Sequence, residues 1–175
     1  MVEIKRLTAE EGRTYTSALA EVLLDCVQGG ASVSFMASLT KGEAEDFFKG
    51  SVDGVEKGER ILLAAFADSQ LVGTVQVLLV TPPNQPHRGD IAKLLVVQAV
   101  RGQGVGQQLM ERAEEEARLA GKTLLVLDTV TGDAGERLYL RQGWTKSGII
   151  PNYALYPDGR YCDTSVFWKQ IAPLT

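Results

Sequence analysis

The chain carries 175 residues, 45% of them hydrophobic and 23% charged, with a formal net charge of −4. That length and balance predict one globular domain, 1–175, able to bury a self-sufficient core. The acidic surplus leaves no electrostatic footprint for nucleic acid or an anionic membrane surface, and no apolar run approaches the roughly 18 residues that span a bilayer.

Met1-Val2-Glu3-Ile4-Lys5-Arg6 reads directly into a first strand and lacks the apolar stretch of a signal peptide, so a cytoplasmic protein is expected. Thr8-Ala9-Glu10-Glu11 is a capping box, which predicts a helix from there to about Val27. Leu19, Val22, Leu23, Cys26 and Val27 follow helical spacing on its buried face, and Gly29-Gly30 stops it. A second capping box, Thr40-Lys41-Gly42-Glu43, opens a helix that buries Phe47, Phe48, Val52 and Val55 and ends at Gly58. Ile61–Ala67 and Leu71–Val80 are apolar strands joined by a tight turn at Asp68-Ser69-Gln70.

A proline-rich loop, 81–89, leads to a strand over 90–97. The following long helix, Gln107 to Ala120, places Leu109, Met110, Ala113 and Ala117 on one face. Glu114, Glu115 and Glu116 are consecutive and therefore point in different directions, which predicts a solvated face rather than a metal site. Strand 123–128, helix 133–142 and strands 144–150 and 162–169 complete the chain, the last two separated by a loop over 151–160. The pattern is α/β: a mixed sheet of about seven strands with four helices.

Cys26, Cys162 and the single histidine, His87, are scattered. A zinc site needs about four such ligands at close spacing, so no metal is expected, and both thiols are expected to be reduced. Nothing around His87, in the loop 82–89, suggests a triad with a cysteine.

The segment with chemistry in it is Arg101-Gly102-Gln103-Gly104-Val105-Gly106, between the strand 91–97 and the long helix. Three glycines in five residues strip Cβ atoms from the turn, so backbone N–H groups can converge on an anion at the positive end of the helix dipole. Arg101 adds a guanidinium able to grip a phosphate with two parallel bonds. This favours pyrophosphate binding. A dinucleotide fingerprint does not fit, because the glycines fall at 102, 104 and 106 and position 107 is Gln; no Gly-Lys-Ser/Thr of a Walker loop occurs.

The spacing Q/R-x-x-G-x-G/A after an apolar strand resembles the acyl-CoA loop of the GNAT N-acetyltransferases. Asp128 follows the apolar run 124–127, and Tyr139-Leu140-Arg141-Gln142-Gly143-Trp144 resembles the Y-x-x-x-G-aromatic ending of the same family. The order of elements agrees. Through Gly29–Met36, Lys93-Leu94 and Leu127-Asp128-Thr129 the chain is most similar to the tabtoxin-resistance type, over roughly 5 to 170.

The resemblance implies the GNAT fold with a splayed central strand pair, acetyl-CoA as co-substrate, and direct transfer of acetyl to an amine. It implies that Arg101, Gly102, Gln103, Gly104, Val105 and Gly106 hold the pyrophosphate. Leu94, Leu95 and Val96 would bond the pantetheine arm through their backbone while their side chains pack in the core. Tyr139 stands where the family tyrosine reaches the CoA sulfur, as the general acid for the leaving thiolate; otherwise it is a core ring. Asp128 either binds the acceptor ammonium and takes its proton or caps the turn 129–132. Ser32, Phe35 and Tyr153 either shape the acceptor site or pack at the surface.

Many family members carry Asn and Ala seven and four residues before the tyrosine, the Asn touching the pantetheine; here Gly132 and Gly135 stand there, so that contact is lost, shifted to Asp133 or supplied by backbone. The expected partner is a small-molecule amine (toxin, antibiotic or metabolite), with no nucleic acid or membrane, and the protein a monomer or homodimer. A protein N-terminal or lysine acetyltransferase, or a non-catalytic acyl-CoA- or toxin-binding module, remain the alternatives.

Overall fold

The computed structural model describes residues 1–174. In chain order the elements are β1 (Val2–Arg6), α1 (Ala9–Thr14), α2 (Thr16–Gln28), α3 (Lys41–Glu56), β2 (Arg60–Ala67), β3 (Gln70–Leu78) and β4 (Arg88–Val96). A short 3-10 turn (Gln98–Val100) leads to α4 (Val105–Leu119), β5 (Leu124–Val130), α5 (Ala134–Arg141), β6 (Thr145–Leu155) and β7 (Tyr161–Gln170). The strands form one mixed sheet in the order β1-β2-β3-β4-β5-β7-β6. Among the described residues only β4 and β5 pair in parallel.

The central strands are buried on both faces, which is why β2 and β3 read as continuous apolar runs rather than alternating ones. Ile61, Leu63 and Ala65 of β2 meet Leu109, Met110, Ala113 and Ala117 of α4 on one face. Leu62, Ala64 and Phe66 meet Leu19, Leu23 and Cys26 of α2 and Phe48 and Val52 of α3 on the other. The β2–β3 hairpin turns through Asp68 and Ser69, both left-handed at φ 47 and 67, a turn whose twist matches that of the flanking strands.

Both capping boxes form, Thr8 with Glu11 and Thr40 with Glu43. The first helix, however, is broken at Tyr15 into α1 and α2, giving five helices. Thr14 and Thr16 donate their hydroxyls to the carbonyls of Glu10 (3.1 Å) and Gly12 (2.9 Å), a back-bonding that bends helices. Tyr15 also turns edge-on to Phe66, ring centroids 5.1 Å apart.

Two expectations are corrected. Residues 151–155 are not loop: β6 runs on through Pro151 to Leu155, with a register shift between Ile150 and Ala154. β6 is an edge strand, where a proline and a bulge are tolerated because no ladder bond is required there. The acidic run of α4 is not a solvated face either, since Glu114 and Glu116 are buried. Glu114 accepts from the Trp144 indole (3.0 Å) and from Lys169 Nζ (2.8 Å). Glu116 pairs with Arg6 (2.8 Å) and Arg112 (2.7 Å). Buried carboxylates persist when paired in this way, and two of the pairing cations, Arg6 and Lys169, lie far away in the sequence. Among the described residues no group of three or more His, Cys, Asp or Glu is placed to hold a metal ion.

Candidate active site

The site begins with an irregularity in β4. Thr74 pairs with Leu95 and Gln76 with Ala92, so Lys93 and Leu94 together oppose Val75 alone. Lys93 absorbs the extra residue with left-handed backbone, φ 53. Such a bulge bends its strand. The parallel pairing of β4 with β5 covers only Arg88/Leu124, Gly89/Leu125 and Asp90/Val126. β5 stays on β7 as far as Val130/Thr164. From residue 91 onward β4 and β5 part, and a cleft of about 900 Å³ opens between them.

One wall is the glycine loop. Gly102 and Gly104 are left-handed, φ 76 and 83, and a Cβ on either would meet nothing within 4 Å, so the loop faces open space. Gly104 is the N-cap of α4, and no side chain caps that helix. Its carbonyl accepts from Gln108 N (3.1 Å), the first bond of the helix. The preceding N–H groups therefore have no acceptor within the helix and carry the positive end of its dipole. Arg101 is not free beside them: its Nε donates to the Val96 carbonyl (3.0 Å) and an Nη to Cys26 Sγ (3.6 Å). The guanidinium thus ties the loop to β4, and its remaining N–H donors stand on this wall beside the backbone groups. Cys26 is buried, which pushes its thiol pKa up, opposed by Arg101.

The facing wall comes from β5 and α5. Tyr139 lines the cleft yet is only 6% exposed. Its ring lies 5.9 Å from that of Phe167 and 6.0 Å from that of Trp144, so one ring serves the core and the cleft at once. Burial, and then the charge of Asp128, push the phenol pKa up, and the hydroxyl keeps its proton through neutral pH. Asp128 also lines the cleft, and its Oδ2 accepts from Thr164 Oγ1 at 2.8 Å.

Asp128 does not cap the turn after β5; Glu136 fills that role. Glu136 accepts from Gly132 N, Lys146 Nζ and Ser165 Oγ, while Ser165 shares a 2.8 Å hydrogen bond with Thr131. Gly132 is left-handed (φ 85), and a Cβ on Gly135 would press on Thr129 Oγ1 at 2.8 Å. The two glycines thus let α5 start close against β5. Asp133, at the N-cap without a side-chain cap bond, lines the cleft, and burial pushes its carboxyl pKa up.

The Glu136 network has a pH signature. The Gly132 N–H, then Lys146, hold the Glu136 carboxyl below its ordinary value of 4.5. A folded-state pKa below the unfolded one stabilises fully above the unfolded value and is lost as pH falls through the folded one. Glu136→Gln should therefore flatten the acid limb of a stability–pH curve below about pH 4.5. Urea midpoints at successive pH values measure this; an unchanged acid limb would remove Glu136 from that role.

Ser32, Phe35 and Tyr153 all line the cleft, with Leu94, Leu95, Val96, Arg101, Gly102, Gly104, Val105 and Gly106. Gln103 is exposed and outside the lining. Ser32 donates to the Leu155 carbonyl at 2.6 Å and Ala37 N to the Pro157 carbonyl at 3.2 Å, so the segment 31–37 crosses to β6 and the turn after it. Phe35 packs edge-on against Phe47, centroids 5.3 Å apart. Residues that the motifs did not flag also stand here: Thr164 beneath Asp128, and Ser34, which accepts from Lys93 Nζ at 2.9 Å. The signal for Thr164 was faint, its place in a strand opposite Val130. For Ser34 there was none, because its partner is 59 residues away.

Residues 28–144 match the model of the Acetyltransferase (GNAT) family. The aminoalkylphosphonate N-acetyltransferase of Salmonella typhimurium is 45% identical over 60 residues, 34% of this chain and 39% of that protein. An IAA acetyltransferase of Azospirillum brasilense is 37% identical over 71 residues, 40% of this chain and 45% of that one. The chain thus spans about two fifths of the length of the curated relatives it matches. Among solved structures, a candidate acetyltransferase of Salmonella typhimurium with its cofactor acetyl-CoA superposes at TM-score 0.81 and 17% identity, covering 100% of this chain and 96% of that one. The ribosomal-protein-alanine N-acetyltransferase of Brucella melitensis does so at 0.78 and 22%, covering 96% and 99%. These likenesses carry the fold, the family model covers the phosphate loop and the tyrosine motif alike, and the chain belongs to the GNAT acetyltransferase family.

Proposed function

We propose that the chain is an acetyl-CoA-dependent N-acetyltransferase, one domain over 1–175, that acetylates the amine of a small molecule: a toxin, an antibiotic or a metabolite, as in the tabtoxin-resistance type. One observation carries this reading. The uncapped N-terminus of α4 and the buried phenol of Tyr139 face the same opening between β4 and β5.

The residues present fit acetyl-CoA. The N–H groups at the start of α4 suit its pyrophosphate, since they lack acceptors and their glycines leave the approach open. The freed backbone of Leu94, Leu95 and Val96 suits its pantetheine arm as an added strand. When bound, acetyl-CoA supplies an acyl group activated as a thioester. Asp128, held by Thr164, attracts the acceptor ammonium and takes its proton, freeing the nitrogen lone pair that forms the new N–C bond. As the C–S bond breaks, the new amide nitrogen sheds its remaining surplus proton to solvent, and Tyr139 gives its phenolic proton to the thiolate and regains one from solvent.

The segment 31–37, hydrogen-bonded across to β6, supports a small acceptor, because it bridges the side of the cleft that an extended peptide would need open. Thiol release and acetyl adducts, measured with acetyl-CoA and a panel of amines and peptides, test the reading. Acetylated small amines are the expected result; tight acetyl-CoA binding with no thiol release from any acceptor would make the protein a binding module.

The loop has its own test. A valine at Gly104 would have to hold φ 83, which costs a residue with a Cβ about 1–2 kcal/mol, so the loop would shift instead. Gly104→Val should weaken CoA binding about tenfold by calorimetry with little change in melting temperature. Unchanged affinity would overturn the loop assignment.

A further inference from the structure

Two non-glycine residues hold left-handed backbone on the wall of the cleft, and they meet. Ser34 has φ 79 and Lys93 φ 53, and Lys93 Nζ donates to Ser34 Oγ at 2.9 Å. Strained residues kept in contact at a cleft point to a site, because the surrounding fold must impose them. The Lys93 ammonium stands 5.8 Å from the centroid of the Phe47 ring, is half-buried, and forms no ion pair with an acid among the described residues. It has three donors, and one goes to Ser34. A partly desolvated ammonium with donors to spare lacks an anion.

The nearest cleft carboxylate does not supply one. Asp128 is near enough for its charge to favour the Lys93 ammonium, against the burial that disfavours it. Yet Asp128 is anchored to the Thr164 hydroxyl at 2.8 Å, as Lys93 is anchored to Ser34 at 2.9 Å. Among the charged residues that line the cleft, Lys93 and Asp128 are thus a cation and an anion each fixed by its own hydroxyl rather than by the other. A neutral or purely cationic amine satisfies only half of that arrangement.

We propose that the acceptor is an ampholyte, an amine carrying a carboxylate or phosphonate on the same small molecule, with Lys93 and Ser34 holding the oxyanion and Asp128 the ammonium. The inference rests on the transferase reading for turnover, but not for binding. Carboxylate and phosphonate share the chemistry that Lys93 recognises, and Ser34 adds a hydroxyl donor to either.

The test compares β-alanine, aminoethylphosphonate, the methyl ester of β-alanine and propylamine, with homologues of each bearing one to four methylenes. With wild-type protein, kcat/KM for an anionic amine should exceed that of its neutral counterpart by about 10- to 100-fold, the span of a charge-assisted hydrogen bond. In Lys93→Gln that ratio should collapse toward one, through the acceptor KM, and Lys93→Arg should restore part of it. The relative rates of the two acids tell which oxyanion the site takes. Calorimetric titration of the same amines into the CoA-loaded protein separates this inference from the transferase reading. Binding of an anionic amine that is lost in Lys93→Gln upholds the subsite even where no acetyl is transferred. A wild-type preference for the neutral amines overturns the proposal. So does a Lys93→Gln variant that loses neutral and anionic amines equally, or failure of every anionic amine to bind.

Discussion

Tyr139→Phe is expected to lower kcat by about 10²–10⁴-fold, the span usual for a positioned acid, while acetyl-CoA affinity stays close to wild type. The substitution removes one hydroxyl and keeps the ring that packs on Phe167 and Trp144. Folding should survive to within about the 1 kcal/mol of one hydrogen bond. Burial and the Asp128 charge keep the phenol protonated, so a proton is present when a thiolate forms beside it. The pH dependence also carries a sign. A phenol pushed upward stays a donor across the neutral range, so the acid assigned to Tyr139 should impose no alkaline fall in kcat below about pH 10, its ordinary value. Stopped-time assays of thiol release across pH, on both proteins, measure these effects. A well-folded Phe variant with near-normal kcat would remove Tyr139 as the acid and leave solvent or the incoming ammonium as the proton source.

Phe167→Ala should cost about 3–5 kcal/mol of folding stability, because the side chain is fully buried and its removal leaves a cavity. Phe167 lies on β7, its partners on the sheet are Leu127 and Lys146, and its ring touches that of Tyr139. The cavity therefore opens directly behind the proposed acid. Urea unfolding gives the stability loss, and the residual kcat of the folded fraction should fall as well, since the Tyr139 ring loses a wall. A loss below about 1 kcal/mol would mean that the core here repacks, and Tyr139 would then owe its position to Trp144 and the α5 turn instead.

Much of this was legible in the chain because its signals are local. The capping boxes at Thr8 and Thr40, the hairpin at Asp68-Ser69 and the glycines at 102 and 104 each involve neighbours within a few residues, and all stand in the structure. What escaped was non-local. The burial of Glu114 depends on Lys169, 55 residues away, and that of Glu116 on Arg6, 110 residues away. The anchoring of Asp128 needs Thr164, across the β5–β7 ladder. The break at Tyr15 and the passage of β6 through Pro151 reverse local propensity, since a back-bonded threonine pair bends one helix and a sheet edge forgives a proline. Arg101 shows the same limit within the motif: its place beside the loop gave no sign that it also holds a carbonyl and a thiol contributed by other elements.

The short parallel seam between β4 and β5 acts as a hinge pin. The sheet consists of two leaves, β1 to β4 and β5 to β7, joined edge to edge only at residues 88–90 and 124–126. Lys122 rivets that end by donating to the carbonyls of Leu79 and Pro86, both at 2.8 Å, and Thr123 N bonds the His87 carbonyl at 2.9 Å. Gly89 fits there with no room to grow, since a Cβ would approach Leu125 at 3.1 Å and the Leu78 carbonyl at 3.4 Å. A lever pinned at one end transmits small displacements at the pin as larger ones at the mouth. The gauge of the cleft is thus set jointly by the Lys93 bulge and by the foot of the sheet, and the foot contributes no residue to the cleft lining.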